Sequence, residues 1–267
     1  LGLGAAATGH ALGAAEFYGP RGLMMWVIAE PSMLKDGSAA GAGRGLEAAL
    51  LAADGFRATP AELVESPDVA DLWADLGSRW RVMEQYLKPT PVCRWAQPAV
   101  EAAMALRPHL DPDRIARVRI ASFAEAVALA GAAPADGDAA QYALAFPVAA
   151  ALVHGWLSAA EIDGPGLHDA RVRDLAQRID LAAEDRFNRR FPAERWCEVT
   201  VTLTDGTTRS SGETTTRGDA ASPLTDAEVR TKAQTLMGPE RADALAVLLL
   251  DGDGAQTTAS LCNILAI

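Results

Sequence analysis

The segment CEVTVTLTDGTTRSSGETT, residues 197–215, departs from the helical pattern that fills most of the chain. Cys197, Val199, Val201 and Leu203 alternate with polar residues, and this period of two marks a strand buried on one face. Asp205-Gly206 then supplies a dipeptide suited to a tight hairpin turn. A second alternating run, RIARVRIASF at 114–123, gives the hairpin a partner. Between the two lie AAQYALAFPVAAALVHGWL (139–157) and DARVRDLAQRID (169–180), both helical in pattern. Residues 87–222 therefore read as an α+β unit around a small sheet.

Both flanks of this unit are helical. In GSAAGAGRGLEAALLAADGF (37–56), Gly41 and Gly45 fall at helical spacing where small residues let helices approach, and Gly55 marks a stop. Thr59, Pro60 and Glu62 suggest an N-cap, a first helical position and a capping glutamate. After Pro223, Thr225 precedes DAEVRTKAQTLM, and Pro239 opens a further helix ending in ALAVLLL. The predicted fold is mainly α with an inserted α+β domain. Residues 1–86 and 223–267 form the helical part and 87–222 the insertion.

Composition narrows the function. At 267 residues, 49% hydrophobic and 22% charged, the chain is long and apolar enough for a large core. Aromatic residues make up only 6%, which favours alanine-packed helices over a β sandwich. A balance of 24 Lys plus Arg against 35 Asp plus Glu gives a net charge of −11, which argues against a nucleic-acid or anionic-membrane surface. Cys93, Cys197 and Cys262 lie far apart without ligand-spaced histidines, so neither a disulfide framework nor a zinc site is indicated and a reducing compartment is expected. The opening LGLGAAATGHALGAA lacks a basic start and reads as the middle of a helix, and no run is long enough to span a bilayer. A soluble protein is expected.

KPTPVCRWAQPAVEAAM, residues 88–104, is the segment with the most chemistry. Its prolines bias Lys88 and Thr90 toward extended geometry, and Pro98 suits a first helical turn. Taken alone it is an ordinary loop with an exposed lysine. His10 and His154 read as core or capping residues and His109 and His168 as surface. GAGRG lacks the spacing of a nucleotide fingerprint, and Asp251-Gly252-Asp253-Gly254 lacks the remaining ligands of a calcium loop and reads as a turn.

Four segments together carry a resemblance: SMLKDGSAAGAGRGLEAALLAADGF, YLKPTPVCRWAQPAVEAAM, YALAFPVAAALVHGWL with HDARVRDLAQRID, and RGDAASPLTDAEVRTKAQTL. In order and approximate spacing they resemble the MmgE/PrpD family, which includes 2-methylcitrate dehydratase, cis-aconitate decarboxylase and iminodisuccinate epimerase. The resemblance implies a large helical domain carrying a smaller α+β lid, with this chain lacking the N-terminal part of the family. It also implies a cytoplasmic homodimer joined through the helical domain.

The chemistry implied is that of a lyase or isomerase that needs no metal or organic cofactor. It abstracts a proton next to a carboxylate of a small di- or tricarboxylate, and no nucleic-acid or membrane partner is implied. Such a reaction requires fixed cations where negative charge develops. Lys35 matches the family lysine ahead of the Gly/Ala helix, and Lys88 matches the lysine of its K-x-x-P motif. Both are expected to bind substrate and take part in catalysis, with Arg94 and Gln97 as further substrate contacts. Cys93 stands where some members have a catalytic histidine and Gln97 where many have another. A thiol lowered by Lys88 or Arg94 is one reading of Cys93 and a buried structural cysteine the other. The alternative to an enzyme is an inactive relative serving as a binding or partner subunit.

Overall fold

The structure is a computed structural model and describes residues 1–19, 22–34, 37–250 and 257–265. It opens with three helices: α1 (Ala5–Phe17), α2 (Met24–Ala29) and α3 (Ser38–Ala53). α1 packs on α3 through small residues, Ala11, Gly13 and Ala14 against the side carrying Ala48 and Ala52. A close approach to the loop after α3 occurs at Gly13, where an added Cβ would lie 1.8 Å from the Thr59 carbonyl. Gly41 and Gly45 face open space instead, so the glycine spacing in α3 does not mark its contact. Gly55, with φ of +91°, closes α3 as expected, and the Phe56 N–H reaches back to the Leu51 carbonyl.

Thr59 is not an N-cap. The next short helix, α4 (Glu62–Glu65), starts from Ala61 without a side-chain cap. Glu65 accepts the Ala61 N–H, and Glu16 of α1 accepts the Leu63 N–H, so carboxylates from elsewhere satisfy donors that Thr59 was expected to serve. α5 (Ala70–Trp73) follows, with the Trp73 indole donating to the Leu63 carbonyl.

The middle of the chain holds the core. α6 (Gln97–Leu106) leads through 3-10 turns to β1 (Ile115–Ser122), followed by the short helices α7 (Ala124–Val127) and α8 (Gly137–Gln141). The helical pattern of 139–157 is interrupted at Tyr142–Leu144 before α9 (Ala145–His154). Pro147 cannot donate a backbone hydrogen bond and so falls in the first turn of a new helix. Carbonyls of Ala130 and Gly131 accept the N–H groups of Leu144, Ala145 and Phe146. Next come α10 (Ala159–Ile162), α11 (Ala170–Ala176), β2 (Ile179–Ala183), α12 (Asp185–Asn188), β3 (Trp196–Leu203), β4 (Thr208–Ser210) and β5 (Thr214–Thr215).

The strands order as β2-β1-β3-β4, with β5 also pairing with β3. β2 runs parallel to β1, and β3 runs antiparallel to both β1 and β4. β2 corrects the expectation of a continuous helix over 169–180, because the chain turns extended at Ile179. Cys197, Val199 and Val201 of β3 are buried as their alternation predicts. In β1, Ile115 and Val118 are three apart yet both buried, because a register shift after Ile115 restores the inward face. α6 and α9 cover that face, with Val100, Phe146, Leu144, Leu152, Ile120 and Leu175 fully enclosed. Burial of each large side chain contributes roughly 1.5–3 kcal/mol.

The chain closes with α13 (Asp226–Met237), α14 (Pro239–Leu249) and α15 (Thr258–Leu265). Thr225 and Glu228 form the capping box of α13, and Arg230 pairs with Asp243 across α13 and α14. Helices outweigh strands, and the sheet is small and mixed. No helix among the described residues is long and apolar enough to cross a membrane.

Candidate functional site

The loop ahead of α6 is held from several directions. The Leu87 N–H donates to the Gly218 carbonyl at 2.7 Å, and the Lys232 ammonium donates to the Lys88 carbonyl. Gly218 sits at φ +98°, and a Cβ there would lie 2.0 Å from the Leu87 carbonyl, so only glycine fits this crossing of two segments. The Cys93 N–H donates to the Gln141 carbonyl at 2.7 Å. Gln97 lies fully buried beneath the loop. Its amide donates to the carbonyls of Thr90 (2.7 Å) and Val92 (2.9 Å) and accepts the Thr90 hydroxyl (2.7 Å).

These bonds commit the Gln97 amide to the loop. The residue expected to contact a carboxylate is therefore a brace that fixes Thr90 and Val92, and it does not line the adjacent cleft. With its backbone pinned and Pro89 directly after it, Lys88 presents an exposed side chain at the edge of that cleft.

The cleft encloses about 420 Å³ and brings Lys88, Cys93 and Arg94 together with Arg195, between Tyr86, Trp95 and Tyr142. No Asp, Glu or His among the described residues lies on its wall. Arg94 is buried, donates from Nη2 to Asp219 Oδ2 at 2.8 Å and stacks on the Tyr86 ring at 4.3 Å. Burial lowers the Arg94 pKa, with Asp219 opposing and Arg195 adding to the shift. Its Nε and Nη1 are buried without a hydrogen-bond acceptor, as is Nε of Arg195. An orphaned buried donor costs about 1–3 kcal/mol.

Arg195 arrives from the connection between α12 and β3. Phe191, in the same connection, stacks on Phe123 at 4.6 Å, and Trp95 meets both rings edge-on. This cluster joins the Lys88 loop to the Arg195 segment. Neither Lys88 nor Arg195 forms an ion pair with a carboxylate among the described residues. Lys88 and Arg195, converging beside Arg94 without ion-paired carboxylates of their own among the described residues, raise the local potential and attract anions even in an acidic protein.

An activated thiol does not emerge. Burial pushes the Cys93 thiol up, only partly offset by the Trp95 and Ala96 N–H groups and by the charges of Lys88 and Arg195. Lys35 lies outside the described residues, as do Asp251 to Gly254. The other chemistry is structural. His10 contacts the Ala58 carbonyl, His154 pairs with Asp169 at the end of α9, and His109 and His168 are exposed. GAGRG lies inside α3, and no cluster of metal-ligating residues occurs among the described residues. Arg195 is the cleft cation missed in the sequence, since nothing in FPAERW distinguishes it from any arginine ahead of a strand.

The family model for the MmgE/PrpD C-terminal domain matches residues 90–252, which takes in Cys93, Arg94, Arg195 and the whole sheet. Among curated proteins none matches the chain.

Proposed function

Since the chain belongs to the MmgE/PrpD family, we propose that the cleft beside Lys88 binds a small di- or tricarboxylate. The family includes dehydratases and decarboxylases, and the reaction proposed here is cofactor-independent lysis or isomerisation, 2-methylcitrate dehydratase-like, starting with proton abstraction next to a carboxylate. The observation that carries this reading is a cleft walled by Lys88, Arg94 and Arg195 with no acid on its wall among the described residues. Such an arrangement stabilises carboxylates and the enolate-like charge that follows proton loss.

In this reading Lys88 faces the developing charge, Arg94 adds its positive charge to the carboxylate site from the cleft wall, and Gln97 keeps the loop in place. Lys35 is proposed as a second lysine at the substrate. Cys93, with its raised pKa, fits a proton donor better than a base. The domain reading fits as well: Leu87 and Gly218 are hydrogen-bonded where the chain enters and leaves the proposed lid, so the loop stands at a hinge.

One observation favours the alternative of a binding or partner subunit: among the described residues the cleft wall holds no histidine or carboxylate to act as base. Steady-state kinetics on small polycarboxylates separates the two. For an enzyme, Lys88→Met lowers kcat/KM by about 2–4 kcal/mol equivalent, with kcat falling as well as KM rising. Saturable binding without turnover would establish the partner-subunit reading, and unchanged kcat/KM in a well-folded Lys88→Met protein removes Lys88 from the site.

A further inference from the structure

We propose that Arg195 is the specificity-determining residue of this cleft and reads a third carboxylate on the ligand. The inference rests on the polycarboxylate reading of the site and goes beyond it by assigning a role that local sequence pattern does not mark.

Among the described residues three cations line the cleft, and they differ in what already occupies them. Lys88 and Arg94 belong to one loop, so a dicarboxylate can pair with both of them. Arg94 is already half engaged, since Asp219 accepts from its Nη2. Arg195 comes from a different element, forms no ion pair among the described residues and keeps a buried Nε without an acceptor. It lies near enough to perturb both Cys93 and Arg94. A ligand with two carboxylates on Lys88 and Arg94 leaves the Arg195 charge on the cleft wall without a counter-ion. A third carboxylate supplies one.

The geometry around Arg195 supports a fixed reader more than a mobile surface charge. Its guanidinium carbon lies 5.9 Å from the centre of the Phe191 ring, which is itself locked into the stack with Phe123 and Trp95. A planar guanidinium held in this way presents parallel N–H groups to a carboxylate, which an ammonium cannot match. Arg195 thus contributes to selection among substrates without being assigned a proton-transfer role.

The test uses two probes that differ by one carboxylate, tricarballylate and glutarate, titrated calorimetrically into the full chain and into Arg195→Met, Arg195→Lys and Lys88→Met. Wild type is expected to prefer tricarballylate. Arg195→Met should weaken tricarballylate by about tenfold or more and glutarate by less than about threefold, as loss of one charge-assisted contact predicts. Arg195→Lys should recover part of the tricarballylate affinity, and Lys88→Met should weaken both probes. Far-UV circular dichroism verifies that each variant is folded. If Arg195→Met loses both probes equally, or neither, Arg195 does not read the third carboxylate while the polycarboxylate site stands. If wild type binds neither probe, the site reading and the inference fall together.

Discussion

Cys93 shows how a residue's surroundings decide its chemistry. Its neighbours Lys88 and Arg94 suggest a lowered thiol pKa, but the loop is packed against α8 and Trp95, and desolvation outweighs the nearby charge. Raising the pKa leaves less thiolate at any given pH. Cys197 is pushed up further by its position inside β3, whereas Cys262 is exposed. Alkylation with iodoacetamide at pH 7.5, read by mass spectrometry, should therefore label Cys262 first and reach Cys93 and Cys197 only after denaturant is added. Rapid labelling of Cys93 in the folded protein would restore the activated-thiol reading.

At the scale of elements, α13 is the best-specified helix near the site. Thr225 and Glu228 close its first turn, and Lys232 on the same helix donates to the Lys88 carbonyl. The Arg217 guanidinium, together with the Thr225 N–H and hydroxyl, holds the Glu228 carboxyl down at about 2. Because the folded value lies below the ordinary glutamate value, the stability it contributes is complete above about pH 4.5 and is lost as pH falls toward 2. Urea midpoints should thus decline over that window more in wild type than in Glu228→Gln, which should already be less stable at neutral pH. Parallel pH profiles for the two proteins would show that the carboxylate does not anchor α13.

At the scale of the whole molecule, the apolar surface is uneven. Large exposed hydrophobic side chains cluster before Lys88, from Trp26 on α2 to Leu46 and Leu50 on α3, and again on α13 to α15. Among the described residues only Trp156 joins them from the span between Lys88 and Glu228. Exposed apolar side chains in this number suit an interface, and we propose that the homodimer through the helical part that the family resemblance implies covers them. Sedimentation velocity at micromolar concentration should show a dimer, and Leu46→Glu should shift it toward monomer with Tm unchanged. A wild-type monomer under the same conditions would overturn the proposal.

The sequence by itself determined the features that depend on a few neighbouring residues. Alternation placed β1 and β3, Asp205-Gly206 placed the hairpin, Gly55 ended α3, and Thr225 with Glu228 started α13, because backbone geometry and capping act within a turn or a strand pair. It also brought Lys88, Cys93 and Arg94 to attention as one segment. Tertiary structure decided the rest. Thr59 lost its cap to Glu16 and Glu65, Ile179 joined a parallel strand, and Gln97 turned inward to brace the loop. Arg195 met Lys88 and Arg94 only through the packing of Phe191 on Trp95 and Phe123. Burial and electrostatic potential sum over residues that are distant in the chain, and no local pattern encodes that sum.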